Sequence, residues 1–157
     1  MAFVSVTRLR IRSLRFMPHF GLLLISTRRQ VRVAPGFKRG SLLADRQLVF
    51  WTLTVWESAQ AMRDYMLGGS HRAAMPHLVE WCDEASVAHW DTDGDDVPAW
   101  PDADRRMRET GRASKVRHPS PRHATLSYRP LRFAAALPIA PSVLTSLTDR
   151  RPDQANI

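Results

Sequence analysis

Three features of the sequence predict an α+β fold, an antiparallel sheet with helices on one face. Short segments rich in β-branched and aromatic residues stand at 3–12, 37–44, 48–55 and 85–91. Segments with helical spacing lie between them, from about Ser13 to Val31 and from Ser58 to about Glu84, the second broken at Gly68-Gly69. Residues 48–55 are apolar on both faces, as in a strand covered on both sides. The order strand, helix, strand, strand, helix pair, strand is that of a ferredoxin-like split βαβ unit.

Residues 3–12, FVSVTRLRIR, alternate, with Val4, Val6, Arg8 and Arg10 on one face and Leu9 and Ile11 opposite. Arginines there read as the solvated end of a strand, anion binding being the sharper alternative. The helix that follows starts between Ser13 and Pro18, since proline suits a first turn. Phe16, Phe20, Leu23, Leu24 and Val31 form its apolar stripe, and Arg28, Arg29 and Arg32 in its last turns complement the helix dipole. Pro35-Gly36 ends it.

A short strand over 37–44 turns at Asp45-Arg46 into the strongest strand of the chain. There Val49, Trp51, Leu53 and Val55 share one face, and Leu48, Phe50, Thr52, Thr54 and Trp56 the other. The helices cover one face; the simplest cover for the other is a second copy of the same sheet. Ser58 is set to cap a helix over 59–67, with a stripe of Met62, Tyr65 and Met66. Gly68-Gly69 closes it and permits a left-handed turn. Ser70 is the expected cap of the next helix, which runs to about Glu84, with Pro76 kinking or opening it. A continuous helix puts His71, Met75, Leu78, Cys82 and Ala85 on one face, His71 pointing inward. The last strand is ASVAHWD, 85–91.

This divides the chain into a folded domain at 1–92, an extension at 93–130 and a tail at 131–157. The extension holds an acidic loop, a polar helix over 102–114 with little to bury, and a proline-rich stretch. The tail is expected to be disordered or loosely packed.

The net charge is +8, but it is unevenly spread: +9 over 1–47, −9 over 48–104 and +8 over 105–157. Such blocks suit charge matching within or between subunits. No recognised nucleic-acid module accompanies them, so no nucleic-acid partner is expected. No apolar run approaches the ~18 residues of a membrane span. The short run Phe20–Ile25 lacks a signal-peptide cleavage site, and a cytoplasmic protein is expected. The single cysteine, Cys82, excludes an internal disulfide and a cysteine-based zinc site, and reads as a buried, inert thiol. The acidic run Asp91, Asp93, Asp95, Asp96 has its glycine at the wrong place for a calcium loop. Nucleophile elbows, phosphate loops and dinucleotide fingerprints are absent.

His71 remains as the candidate for chemistry. A helix N-terminus disfavours the imidazolium, and a neutral imidazole facing an apolar pocket can ligate haem iron or act as a general base. The bland alternative is a buried histidine bonded to backbone that ties the Gly-Gly loop down. Trp51, Trp56, Met75 and Trp81 are the large apolar residues expected to shape a pocket for an apolar ligand.

The segments FWTLTVWES, AMRDYM, GGSHRAAMP and HLVEWCDEASVAHW resemble the dimeric α+β barrel superfamily. The likeness is to its bacterial branch near antibiotic-biosynthesis monooxygenases and spheroidene-monooxygenase-like proteins. It spans 1–92 and extends to HPSP at 118–121, and its most specific parts are W-T-x-T-x-W and G-x-H-R-x-x-M-P. The resemblance implies a homodimer with sheets packed face to face and a ligand cleft between helices and sheet. It also implies an oxidoreductase of monooxygenase type for an apolar, polyene or aromatic small molecule. Some relatives use no cofactor, and others hold haem on a helix histidine; His71 matches that position, as metal ligand or general base. Cofactor-free and haem-degrading relatives commonly use an asparagine near the sheet, whereas the one asparagine here is Asn156, in the tail. A non-catalytic dimeric barrel that binds a hydrophobic small ligand is the alternative function.

Overall fold

The computed structural model describes residues 1–132 and 135–142. One antiparallel sheet runs in the order β5-β4-β1-β3-β2-β6. Its strands are β1 (Ala2–Ile11), β2 (Phe37–Asp45), β3 (Val49–Trp56), β4 (Cys82–Thr92), β5 (Arg112–Ala113) and β6 (Ala135–Ile139). The helices are α1 (Met17–Arg32), α2 (Ala59–Met66), α3 (Gly69–Trp81) and α4 (Trp100–Thr110). From β1 to β4 this is the expected split βαβ unit, with the doubly apolar β3 and β1 at the centre of the sheet.

Local chemistry sets the helix ends. Pro18 lies in the first turn of α1. Ser58 Oγ accepts the Ala61 N–H at 3.1 Å and so caps α2. Gly68, not Ser70, is the N-cap of α3, and Gly69 takes the left-handed φ of +50° that the break requires. Pro76 lies inside α3 without ending it.

The helix stops earlier than its periodicity suggests. Cys82 is already extended, Ile11 pairs with it, and Arg12 N donates to Trp81 O at 2.9 Å. Pairing with β1 outweighs helical spacing here, so Cys82 and Ala85 belong to β4 and not to the face of His71. The thiol is fully buried, and burial pushes its pKa up to about 12, which makes it inert.

The two sheet faces have different covers. Phe20 and Val31 of α1, Met62 of α2 and Leu78 of α3 pack over one face, on Phe50, Trp56, Phe37 and Ile11. Val4, Val6, Trp51, Leu53, Val55 and Ala88 form the other face, and α4 lies on it with Trp100, Ala103 and Met107. Tyr128, Leu126 and Leu131 complete that layer. Two sequence expectations are corrected. The helix after the acidic loop is not without a core, since every third or fourth residue from Trp100 is buried. The second face is covered by the chain's own α4 and residues 126–131, where a second copy was the expected cover.

β6 was not expected either. It joins the edge of β2, its Pro138 tolerated there, and Ile139 is buried beside Trp56 and Val31. The rest of the expected tail, 133–134 and 143–157, lies outside the described residues. Among the described residues no helix is long and apolar enough to cross a membrane.

Candidate functional site

His71 stands in the first turn of α3, half-buried, with its ring 4.9 Å from that of Tyr65. Tyr65 in turn lies 5.2 Å from Trp56, so one row of rings leads from the helix pair to the sheet. Met62 and Met66 flank that row. The imidazole Nδ1 is 3.2 Å from Met66 O, which selects the tautomer carrying its proton on Nδ1. Nε2 is then left with a free lone pair. Burial lowers the pKa of His71, with the Met66 carbonyl opposing it, and the ring is neutral at pH 7.

A side chain that sequence reasoning passed over holds this arrangement. Gln30 of α1 donates from Nε2 to Tyr65 O at 3.2 Å and to Gly68 O at 3.0 Å, and its Oε1 accepts the His71 N–H at 2.7 Å. The α2–α3 link is thereby clamped to α1, and a side chain at Gly69 would meet the Gln30 amide at 3.0 Å. Trp56 is fully buried, and its indole Nε1 has no acceptor among the described residues.

The other expected pocket residues do not join His71. Trp51 lies on the opposite sheet face, edge-on to Trp100 and Tyr128, because 51 and 56 differ by an odd number along one strand. Met75 is 41 % exposed. Trp81 sits at the far end of α3, stacked on Phe16 and His77. Of the set Trp51, Trp56, Met75 and Trp81, only Trp56 reaches the row of rings that ends at His71. Trp56, Met62, Tyr65 and Met66 pack on one another beside His71. Among the described residues no three His, Cys, Asp or Glu gather as a metal site.

The second sheet face carries polar structure where the alternation of β1 predicts a solvated strand end. Arg8 is 5 % exposed and donates to Glu84 Oε2 at 2.6 Å, while its guanidinium lies 4.1 Å from the Tyr128 ring centre. Arg10 binds Asp83 in a fork at 2.8 and 2.6 Å. Ser120, in the HPSP segment, donates to Glu84 Oε1 at 2.8 Å. Burial alone would raise the pKa of Glu84, but Arg8, Ser120 and Arg10 outweigh it and hold the carboxyl below its ordinary range. Two adjoining cavities of about 270 and 500 Å³ open beside these pairs, walled by residues of β1, the β2–β3 turn, β4 and 120–132.

Comparison with solved structures places this architecture. Rv0793 from Mycobacterium tuberculosis is 11% identical, with a TM-score of 0.54 over 60% of this chain and 97% of that one. A conserved protein from Methanosarcina mazei Go1 is 14% identical, with a TM-score of 0.53 over 59% and 94%. A structure named antibiotic biosynthesis monooxygenase is 13% identical, with a TM-score of 0.53 over 59% and 99%. At these identities the likeness shows a shared fold, that of the antibiotic-biosynthesis-monooxygenase-like proteins. No curated protein matches. A family model described as Domain of unknown function (DUF3291) matches residues 30–118, from the end of α1 through β5 to the start of the HPSP segment, and the chain belongs to that family.

Proposed function

We propose that the domain is a cofactor-free, monooxygenase-type oxidoreductase that takes a small apolar molecule, polyene or aromatic, at the Trp56–Tyr65–His71 row. One observation carries the reading: a neutral imidazole with a free Nε2 and a buried indole N–H without an acceptor stand at two ends of one aromatic row. In this role Nε2 of His71 takes a proton from an acidic C–H of the substrate. The resulting carbanion is oxidised by dioxygen, the co-substrate: one oxygen atom bonds to the deprotonated carbon, which becomes a carbonyl. The other leaves as water with the two hydrogens that carbon loses, one of them returned by His71. Trp56 N–H donates to the oxygen on which negative charge collects, the role of a donor aimed at developing charge. His71 and Met75 reach the surface at the rim of the row.

The test is oxygen uptake by the purified full chain with a panel of polycyclic phenols and polyenes, alongside a visible spectrum. The reading expects uptake without a Soret band, abolished in His71→Ala and lowered about 100-fold in Trp56→Phe, as when one such donor is removed. Quenching of tryptophan fluorescence by the same compounds with no uptake would replace it with the binding-only alternative.

A further inference from the structure

The cavities on the second sheet face are distinct in place and chemistry from the His71 row. Their walls carry Arg8, Arg10, Arg46, Arg122, Arg129 and Arg132 against two carboxylates, Asp45 and Glu84. Both carboxylates already accept hydrogen bonds within the chain, and the six arginines outnumber them. Glu84 is bound by Arg8 and Ser120. Asp45 accepts the backbone N–H groups of Arg46 at 2.8 Å and Arg132 at 3.2 Å, stitching the β2–β3 turn to the C-terminal segment. Arg10 is matched by Asp83. Among the described residues the guanidinium groups of Arg46, Arg122, Arg129 and Arg132 have no acceptor, and all four residues line one concavity.

Gln47 and Leu48, in the turn that carries Arg46, have φ of +62° and +61°, a conformation that side chains other than glycine resist. Both belong to the three-residue turn between β2 and β3, and a tight hairpin calls for left-handed residues. Tyr128, Val49 and Pro130 add apolar wall between the arginines.

We infer that this cleft binds a small organic anion, a carboxylate or phosphate carried on a compact apolar body. Four unmatched guanidinium groups supply planar, charge-assisted donors for the anionic head. The apolar wall suits the body, and about 270 Å³ is close to the lower end of small-molecule sites, ~300 Å³. A nucleic acid is the lesser fit, because the arginines line a pocket and not an extended stripe. The site is independent of the oxidative reading at His71.

Calorimetric titration of the full chain with 1-naphthyl phosphate, 1-naphthoate and inorganic phosphate tests this. Saturable one-to-one binding of a naphthyl probe is expected, and the tighter of the two identifies the head group. Arg46→Gln and the double variant Arg122→Gln/Arg129→Gln change exposed side chains on two different walls, and each should weaken binding about tenfold or more. Arg39→Gln, an exposed arginine outside the cleft, should leave it unchanged. Absence of saturable binding by every probe would overturn the inference, as would equal weakening by Arg39→Gln. So would tight, steeply salt-dependent binding of a single-stranded oligonucleotide in place of the probes.

Discussion

At the scale of single residues, Gln30 decides where His71 stands. It supplies three hydrogen bonds to the backbone of the α2–α3 link, and no other side chain of α1 reaches it in this way. Gln30→Ala leaves these groups to find water and is expected to cost about 2 kcal/mol in urea denaturation, most of it from partners left unmatched. Glu84 sets the other sheet face. Its replacement by glutamine strands the buried charge of Arg8 and should cost ~3 kcal/mol. Because the folded-state pKa of Glu84 is depressed, its contribution is present above the ordinary carboxyl pKa of 4.5 and is lost as pH falls below it. The sequence offered no sign of this pairing: Arg8 and Glu84 are 76 residues apart, and only strand register brings them together.

At the scale of elements, β1 to β4 and α1 to α3 were legible because each carries its own signal. Ser58, Pro18 and Gly68-Gly69 mark helix ends by local chemistry, and the alternation of β3 survives burial on both faces. The boundary between α3 and β4 was not legible, since no breaker separates Trp81 from Cys82 and the decision comes from pairing with β1. The same alternation that revealed β3 also separates Trp51 from Trp56, so a pocket built from both was never compatible with one strand. The pattern of α4 was hidden by its polarity: Trp100, Ala103 and Met107 are a stripe one residue wide in an otherwise charged segment. Met107 is fully buried on the sheet, and Met107→Ala is expected to destabilise by about 3 kcal/mol. Met107→Asp should in addition lift α4 and uncover an apolar sheet face, seen in light scattering as self-association beyond that of the wild type at equal concentration.

At the scale of the whole molecule, the charge blocks are matched within the chain. Arg8, Arg10, Arg12 and Lys38 of the first block meet Glu84, Asp83, Glu80 and Asp95 of the second, and Arg117 of the third also reaches Glu80. Among the described residues, Arg122, Arg129 and Arg132 of the third block line the cleft between the sheet and residues 120–132. One face of the sheet thus carries the aromatic row with its imidazole, and the other carries guanidinium groups held over a closed apolar layer. Histidine adds a pH term to the stability of the whole. Burial lowers the folded-state pKa of His71 and His89, so the unfolded chain binds more protons as pH drops below the ordinary histidine value of 6.5. Denaturation midpoints should therefore fall between pH 7.5 and pH 5.5, and His71→Gln should remove part of that slope.

The functional account depends on the protonation of one ring, and ¹⁵N-detected NMR of the histidine side chains reads it directly. The expected result is a His71 ring protonated on Nδ1 alone at pH 7, with Nε2 showing the shift of an unprotonated nitrogen and a titration midpoint below that of a free histidine. A His71 ring protonated on Nε2, or titrating at or above the midpoint of a solvent-exposed histidine, would contradict it.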